Sequence, residues 1–127
     1  MVQKKILYIE NDSLTRELMA TVLTAEGYQV IPAENAFDGL NKFHKEQPDL
    51  VLLDVVMPHI SGYDFCKLIK GDPELRETPI MVYTALEHPD DQDKAMEYGV
   101  DAWMSKPGSL SQVLSLIEQV TSEAKTV

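Results

Sequence analysis

The chain has 127 residues, 44% apolar and 25% charged, and carries a formal net charge of −10 from 11 basic and 21 acidic side chains. That length suits a single domain over residues 1–127 that buries about two-thirds of its unfolded surface without metal or disulfide staples; the one cysteine, Cys66, excludes an internal bridge and fits a reducing compartment. The acidic balance disfavours direct nucleic-acid binding, and the apolar run Ile6–Ile9 stops at Glu10-Asn11-Asp12, too soon for a signal peptide or membrane span, so a soluble cytoplasmic domain is expected.

Two periods alternate along the chain. Ile6–Ile9 reads as a strand buried on both faces. Leu14, Leu18, Val22 and Ala25 then recur at helical spacing and are expected along one buried stripe, capped by Asp12 or Ser13 and ended by Gly27. Tyr28–Ala33 is a second strand whose Pro32 cannot donate to a ladder, which places it at a sheet edge or strand end. Ala36, Leu40, Phe43 and His44 mark a second helix, with Asn35 as its cap and Pro48 beyond its end. Leu50–Leu53 is a third strand. Ser61, Phe65, Leu68 and Ile69 mark a third helix, closed by Gly71-Asp72-Pro73. Ile80–Tyr83 is a fourth strand, and Pro89, Ala95, Met96 and Gly99 mark a weaker fourth helix. Ala102–Met104 is the fifth strand, and Leu110, Val113, Leu114, Ile117 and Val120 form the clearest helix, capped by Ser109 or Ser111.

Five βα units require an α/β fold with a parallel sheet covered on both faces. An eight-fold barrel needs about twice this length, which leaves an open, doubly wound sheet. Ligands of such sheets bind beyond the carboxyl ends of the strands. Those ends carry Glu10-Asn11-Asp12, Asp54, Thr84 and Ser105-Lys106-Pro107. Taken singly, each has a plain structural reading: Asp12 as a helix cap, Asp54 as the start of a turn, Thr84 as a strand-end hydroxyl, Lys106 as a solvated cation. Their joint placement on one rim is harder to explain that way. Clustered carboxylates repel unless a cation neutralises them, and Glu10, Asn11, Asp54 and a nearby carbonyl suit Mg²⁺. Zinc is not indicated, because His44, His59, His88 and Cys66 form no spaced motif. Cys66 is expected to be a small core residue. An aspartate beside Mg²⁺, flanked by a hydroxyl and a lysine, is equipped to accept a phosphoryl group.

With these features the sequence resembles the receiver domain of two-component response regulators, from about Lys4 to Thr121. The landmarks are the acidic turn after the first strand, Asp54 followed by Met57-Pro58 and Ser61-Gly62, Thr84-Ala85, Gly99-Val100-Asp101-Ala102, and Lys106-Pro107. The resemblance implies a flavodoxin-like, CheY-like sheet of order 2-1-3-4-5, with a short tail after the core. It implies that Asp54 is the phosphoacceptor, taking phosphate from a sensor histidine kinase or a histidine phosphotransfer protein. Mg²⁺ would be held by Asn11, Asp54 and the backbone carbonyl of Val56, with Glu10 assisting. Lys106 would bind the phosphate, placed by a cis bond to Pro107. Thr84 and Trp103 would be the switch pair that remodels the face of the fourth helix, fifth strand and fifth helix for a downstream effector. The same face is compatible with a homodimer. The domain would be a signalling switch, not an enzyme on separate substrates.

Several positions depart from the family pattern. Asn11 stands where a second acid is usual, which should weaken Mg²⁺ binding. Trp103 replaces a smaller ring, and Gly108 an aromatic. Val56 and Leu86, two residues beyond Asp54 and Thr84, can neither orient nor activate a water, so slow loss of the phosphoryl group is expected. Two rival readings follow. One is a pseudo-receiver scaffold that is never phosphorylated, which Asn11 favours and Asp54, Thr84 and Lys106 oppose. The other is an aspartate-nucleophile phosphatase, weakened because Val56 stands where its second aspartate belongs.

Overall fold

The computed structural model describes residues 3–54, 62–73, 75–84, 91–106 and 109–125. In chain order the elements are β1 (Lys5–Ile9), α1 (Ser13–Ala25), β2 (Gln29–Ala33), α2 (Ala36–Glu46), β3 (Leu50–Leu53), α3 (Gly62–Gly71), β4 (Ile80–Thr84), α4 (Asp91–Glu97), β5 (Ala102–Ser105) and α5 (Leu110–Lys125). All strand pairs are parallel, in the order β2-β1-β3-β4-β5. The expected fold and strand order are both found, and the Pro32 strand lies at the edge beside β1.

Alternate strand residues feed two separate cores. Leu7, Ile9, Val51, Leu53, Ile80 and Val82 pack with Phe43 of α2, Phe65 and Ile69 of α3, and Ala95 of α4. Ile6, Tyr8, Leu50, Leu52, Met81 and Tyr83 pack with Leu23 of α1 and Val113, Ile117 and Val120 of α5. The central strands therefore read as continuous apolar runs because neither face meets water. Gly39 lets α2 lie close on the sheet: a Cβ there would collide with Ile9 at the end of β1.

Caps fall where the sequence puts them. Asp12 accepts from the Thr15 amide and Asn35 from the Asp38 amide. Ser109 rather than Ser111 begins α5, with Ser109 Oγ accepting from Gln112 N and Gln112 Oε1 from Ser109 N. Asp101 closes the far end of β4, where its carboxylate accepts from the Ile80 amide (2.8 Å) and from Lys70 Nζ (2.9 Å).

The buried stripe of α1 differs from expectation. Leu14 and Leu18 are 64% and 61% exposed, while Leu23 is fully buried and Met19 packs beside it. The helix carries apolar side chains on more than one face, so spacing alone does not choose the inward one. Its rotation is set at both ends, where Arg16 reaches the Glu10 carbonyl and the Tyr28 amide bonds the Leu23 carbonyl. Leu68, Met96 and Leu110, also read as face-marking residues, are likewise exposed. Leu23→Ala is expected to lower stability by about 3 kcal/mol, and Leu18→Ser to stay within about 0.5 kcal/mol of wild type. Urea unfolding of the two variants checks this, and the reverse ranking would refute the orientation of α1.

Candidate functional site

The hydrogen-bond ladder continues one residue beyond three of the strands. Glu10 N bonds Ala33 O at 3.0 Å, Asp54 N bonds Ile9 O at 3.1 Å, and Lys106 N bonds Thr84 O at 2.7 Å. The residue after each of these three strands is thus tied to its neighbour by backbone, and Glu10, Asp54, Thr84 and Lys106 all reach the carboxyl rim of the sheet.

Their side chains converge. Lys106 Nζ lies 2.7 Å from Glu10 Oε1 and 3.2 Å from Asp54 Oδ2. Thr84 Oγ1 donates to the other Asp54 oxygen, Oδ1, at 3.1 Å. Glu10, Asp54 and Thr84 are buried, and the Lys106 side chain is 20% exposed. One ammonium therefore serves two buried carboxylates, leaving a net charge of about −1 among the three. Burial pushes the Glu10 carboxyl above its usual range, and the neighbouring Asp54 charge adds to this against the pull of Lys106. Burial also works against the Lys106 charge, but the two carboxylates outweigh it and hold the ammonium above its ordinary value.

The other expected residues are placed as follows. Asn11 follows Glu10 on the same turn; its side chain is exposed and its amide donates to Glu10 Oε2 at 3.1 Å. Asp12 caps α1, where hydrogen bonds from Thr15 hold its carboxyl below the usual range. Trp103 packs on the core beneath α2–α4, and its indole N–H is buried with no acceptor among the described residues. Cys66 is buried, its thiol pushed up to about 12 by burial, as befits a core residue. Val56, Leu86, Pro107 and Gly108 lie outside the described residues, so the carbonyl ligand, the two hydrolysis positions and the cis bond fall there too. Among the described residues no cluster of three or more His, Cys, Asp or Glu side chains is arranged to hold a metal. Two carboxylates, Glu10 and Asp54, nonetheless meet at the rim, and they are hard oxygen donors of the type that Mg²⁺ takes.

Three neighbours were not singled out by the sequence. Tyr83 lies under Lys106, 5.5 Å from ring centre to Nζ. The Tyr8 hydroxyl is buried without a partner among the described residues; burial and the charges of Glu10 and Asp54 push its pKa up. Arg16 Nη1 donates to the Glu10 carbonyl at 2.7 Å. Beside Lys106, an apolar groove of about 320 Å³ opens between α1 and α5, lined by Leu18, Met19, Val22, Tyr83 and Leu110 among others.

Fold and rim together define a doubly wound sheet with an acidic, lysine-bridged pocket at its carboxyl edge. The chain belongs to the response regulator receiver domain family, which it matches over residues 6–118. It is 30% identical over 121 residues to the polar-differentiation response regulator DivK of Brucella anthropi, covering 95% of this chain and 98% of that one. Among solved structures it resembles the signal receiver domain of a signal transduction histidine kinase from Syntrophus aciditrophicus, with 30% identity and a TM-score of 0.89 over 98% of this chain and 94% of that one. It also resembles the chemotaxis response regulator CheY4 of Vibrio cholerae, with 25% identity and a TM-score of 0.87 over 94% and 99% of the two chains. The family is a signalling domain rather than a classical enzyme. Among the described residues, no helix is long and apolar enough to cross a membrane.

Removing the bridging ammonium tests the electrostatics. A carboxyl whose folded pKa is raised keeps its proton in the folded state over a window where the unfolded chain has released it, so stability falls as pH rises through that window. Lys106→Met removes the group that opposes this rise for Glu10. The variant is expected to lose about 3 kcal/mol near pH 7.5 and clearly less near pH 5. Urea unfolding at the two pH values measures it, and an equal loss at both would show that the ammonium does not neutralise the pair.

Proposed function

We propose that this receiver is a phosphoacceptor switch in which Asp54 takes a phosphoryl group from a phosphohistidine. The observation that carries the reading is the convergence of Lys106 and Thr84 on the two oxygens of one buried aspartate, at 3.2 and 3.1 Å. An Asp54 oxygen would attack phosphorus as the phosphorus–nitrogen bond breaks, and the imidazole departs with the bonding pair. The Lys106 ammonium and the Thr84 hydroxyl stand ready to donate to the transferring oxygens. Mg²⁺, held by Asp54, Asn11 and the Val56 carbonyl with Glu10 nearby, would neutralise charge on the phosphoryl group. Asn11 supplies no charge, so its affinity should be lower than at a site with a second acid.

The groove between α1 and α5 supports a protein donor. It is apolar, it adjoins Lys106, and the exposed Leu14, Leu18 and Leu110 lie on its two helices. A histidine kinase or phosphotransfer protein seated there would bring its phosphohistidine to the Asp54 rim. The output face would be that of α4, β5 and α5; on its β5 and α5 part, Met104, Ser111, Ser115 and Leu116 help line a second groove of about 330 Å³. Asp54 is bonded to β4 through Thr84 and to the residue just beyond β5 through Lys106, so a phosphoryl group, adding about −1.5 to −2 charge, would act on both strand ends at once.

Incubation with a small acyl phosphate and Mg²⁺, followed by intact mass measurement, tests the proposal. One phosphate adduct is expected, absent in Asp54→Asn and accompanied by a change in Trp103 fluorescence. A clean negative would favour the pseudo-receiver scaffold, for which the neutral, exposed Asn11 speaks. The adduct is also expected to persist in buffered Mg²⁺, because Val56 and Leu86 offer no polar group to an attacking water. Rapid first-order loss of phosphate would refute that part.

A further inference from the structure

Helix α1 carries a basic residue where helix electrostatics disfavour one. Arg16 is the fourth residue of α1, close to the end at which the helix dipole is positive. Its guanidinium turns back to the strand end, and Nη1 donates to the Glu10 carbonyl at 2.7 Å. That carbonyl lies just beyond β1, which ends at Ile9. Across the same peptide bond, the Asn11 amide donates to Glu10 Oε2 at 3.1 Å, and the opposite oxygen of that carboxylate is held by Lys106 at 2.7 Å. The Glu10–Asn11 peptide is thereby gripped at both of its polar ends.

We propose that Arg16 is a positioning residue that sets the plane of this peptide, and through it the direction in which the Asn11 side chain leaves the rim. The inference rests on the phosphoacceptor reading and deepens it. Without the guanidinium, the Glu10 carbonyl has every reason to turn toward water, and rotation of the peptide carries the Asn11 amide with it. A neutral amide attracts a cation through its dipole rather than a full charge, so its orientation matters more than that of a carboxylate. Groups that orient a ligand from behind commonly alter metal affinity by one to two orders of magnitude. Arg16 also adds a positive charge beside a pocket of net negative charge without occupying a ligand position.

Arg16→Met and Arg16→Lys, compared with wild type, test the assignment. In metal-free protein, the Asn11 amide of Arg16→Met is expected to exchange about ten-fold faster with solvent. The Glu10 amide, bonded to Ala33, should keep its protection. General destabilisation would speed both, so the pair separates a local from a global effect. In a Mg²⁺ titration followed by calorimetry, Arg16→Met is expected to bind about ten-fold more weakly, with Arg16→Lys recovering most of the loss. Wild-type Mg²⁺ affinity in Arg16→Met, or equal acceleration at Glu10 and Asn11, overturns the proposal. A wild-type chain that takes up neither Mg²⁺ nor phosphate overturns the reading beneath it, an outcome distinct from any change confined to the variant.

Discussion

The arrangement turns on one ammonium between two buried carboxylates. Lys106 meets Glu10 across a sequence separation of 96 residues and Asp54 across 52, so the contact exists only when β1, β3 and β5 are in register. Burying three charges is unfavourable in itself, and an ion pair taken out of water often returns no net stability. What it supplies here is position. Two carboxylates held this close repel each other, and the ammonium between them offsets that repulsion. Keeping such a cluster on the rim costs stability that apolar side chains there would not cost.

Much of the architecture is legible because parallel strands in a two-sided core have little choice of composition. Leu50–Leu53 and Ile80–Tyr83 are apolar runs, and in each case the next residue is polar and marks the carboxyl edge, Asp54 after β3 and Thr84 at the end of β4. Pro32 announces an edge strand through the donor it lacks. Once the strand ends are known, the general rule for open sheets brings Glu10, Asp54, Thr84 and Lys106 to one rim with no need of distances. The resemblance adds their roles, which spacing cannot supply.

The parts that were not legible share a cause: they depend on rotation or direction. In α1 the Leu14–Leu18 stripe and the Met19–Leu23 stripe are both apolar, and the inward one is selected by contacts at the helix ends. Leu68, Met96 and Leu110 fail as core markers for the same reason. Tyr8 sits in an apolar strand and reads as packing, yet its hydroxyl ends beside the charged cluster. Arg16 was not singled out either, although a cation near a helix N-terminus opposes the dipole. Its partner, a backbone carbonyl six residues earlier, has no sequence signal at all.

The division of Asp54 between two strands bears on how a change at the rim can travel. Oδ1 is engaged by β4 through Thr84, and Oδ2 by the residue just beyond β5 through Lys106. Trp103 lies three residues before Lys106, with its indole N–H buried and lacking an acceptor among the described residues. A new charged group on Asp54 would compete with Glu10 for the same ammonium and draw on the same hydroxyl. Lys106 has three donors and a flexible stem, so it can follow the new oxygens by rotation. Thr84 has one donor on a short stem held by a fully buried strand, so it can follow only if the end of β4 moves with it. The hydroxyl, not the ammonium, is therefore the stiffer of the two links, and a shift of β4 against β5 would reach Val82 and Trp103, which face one another in the ladder.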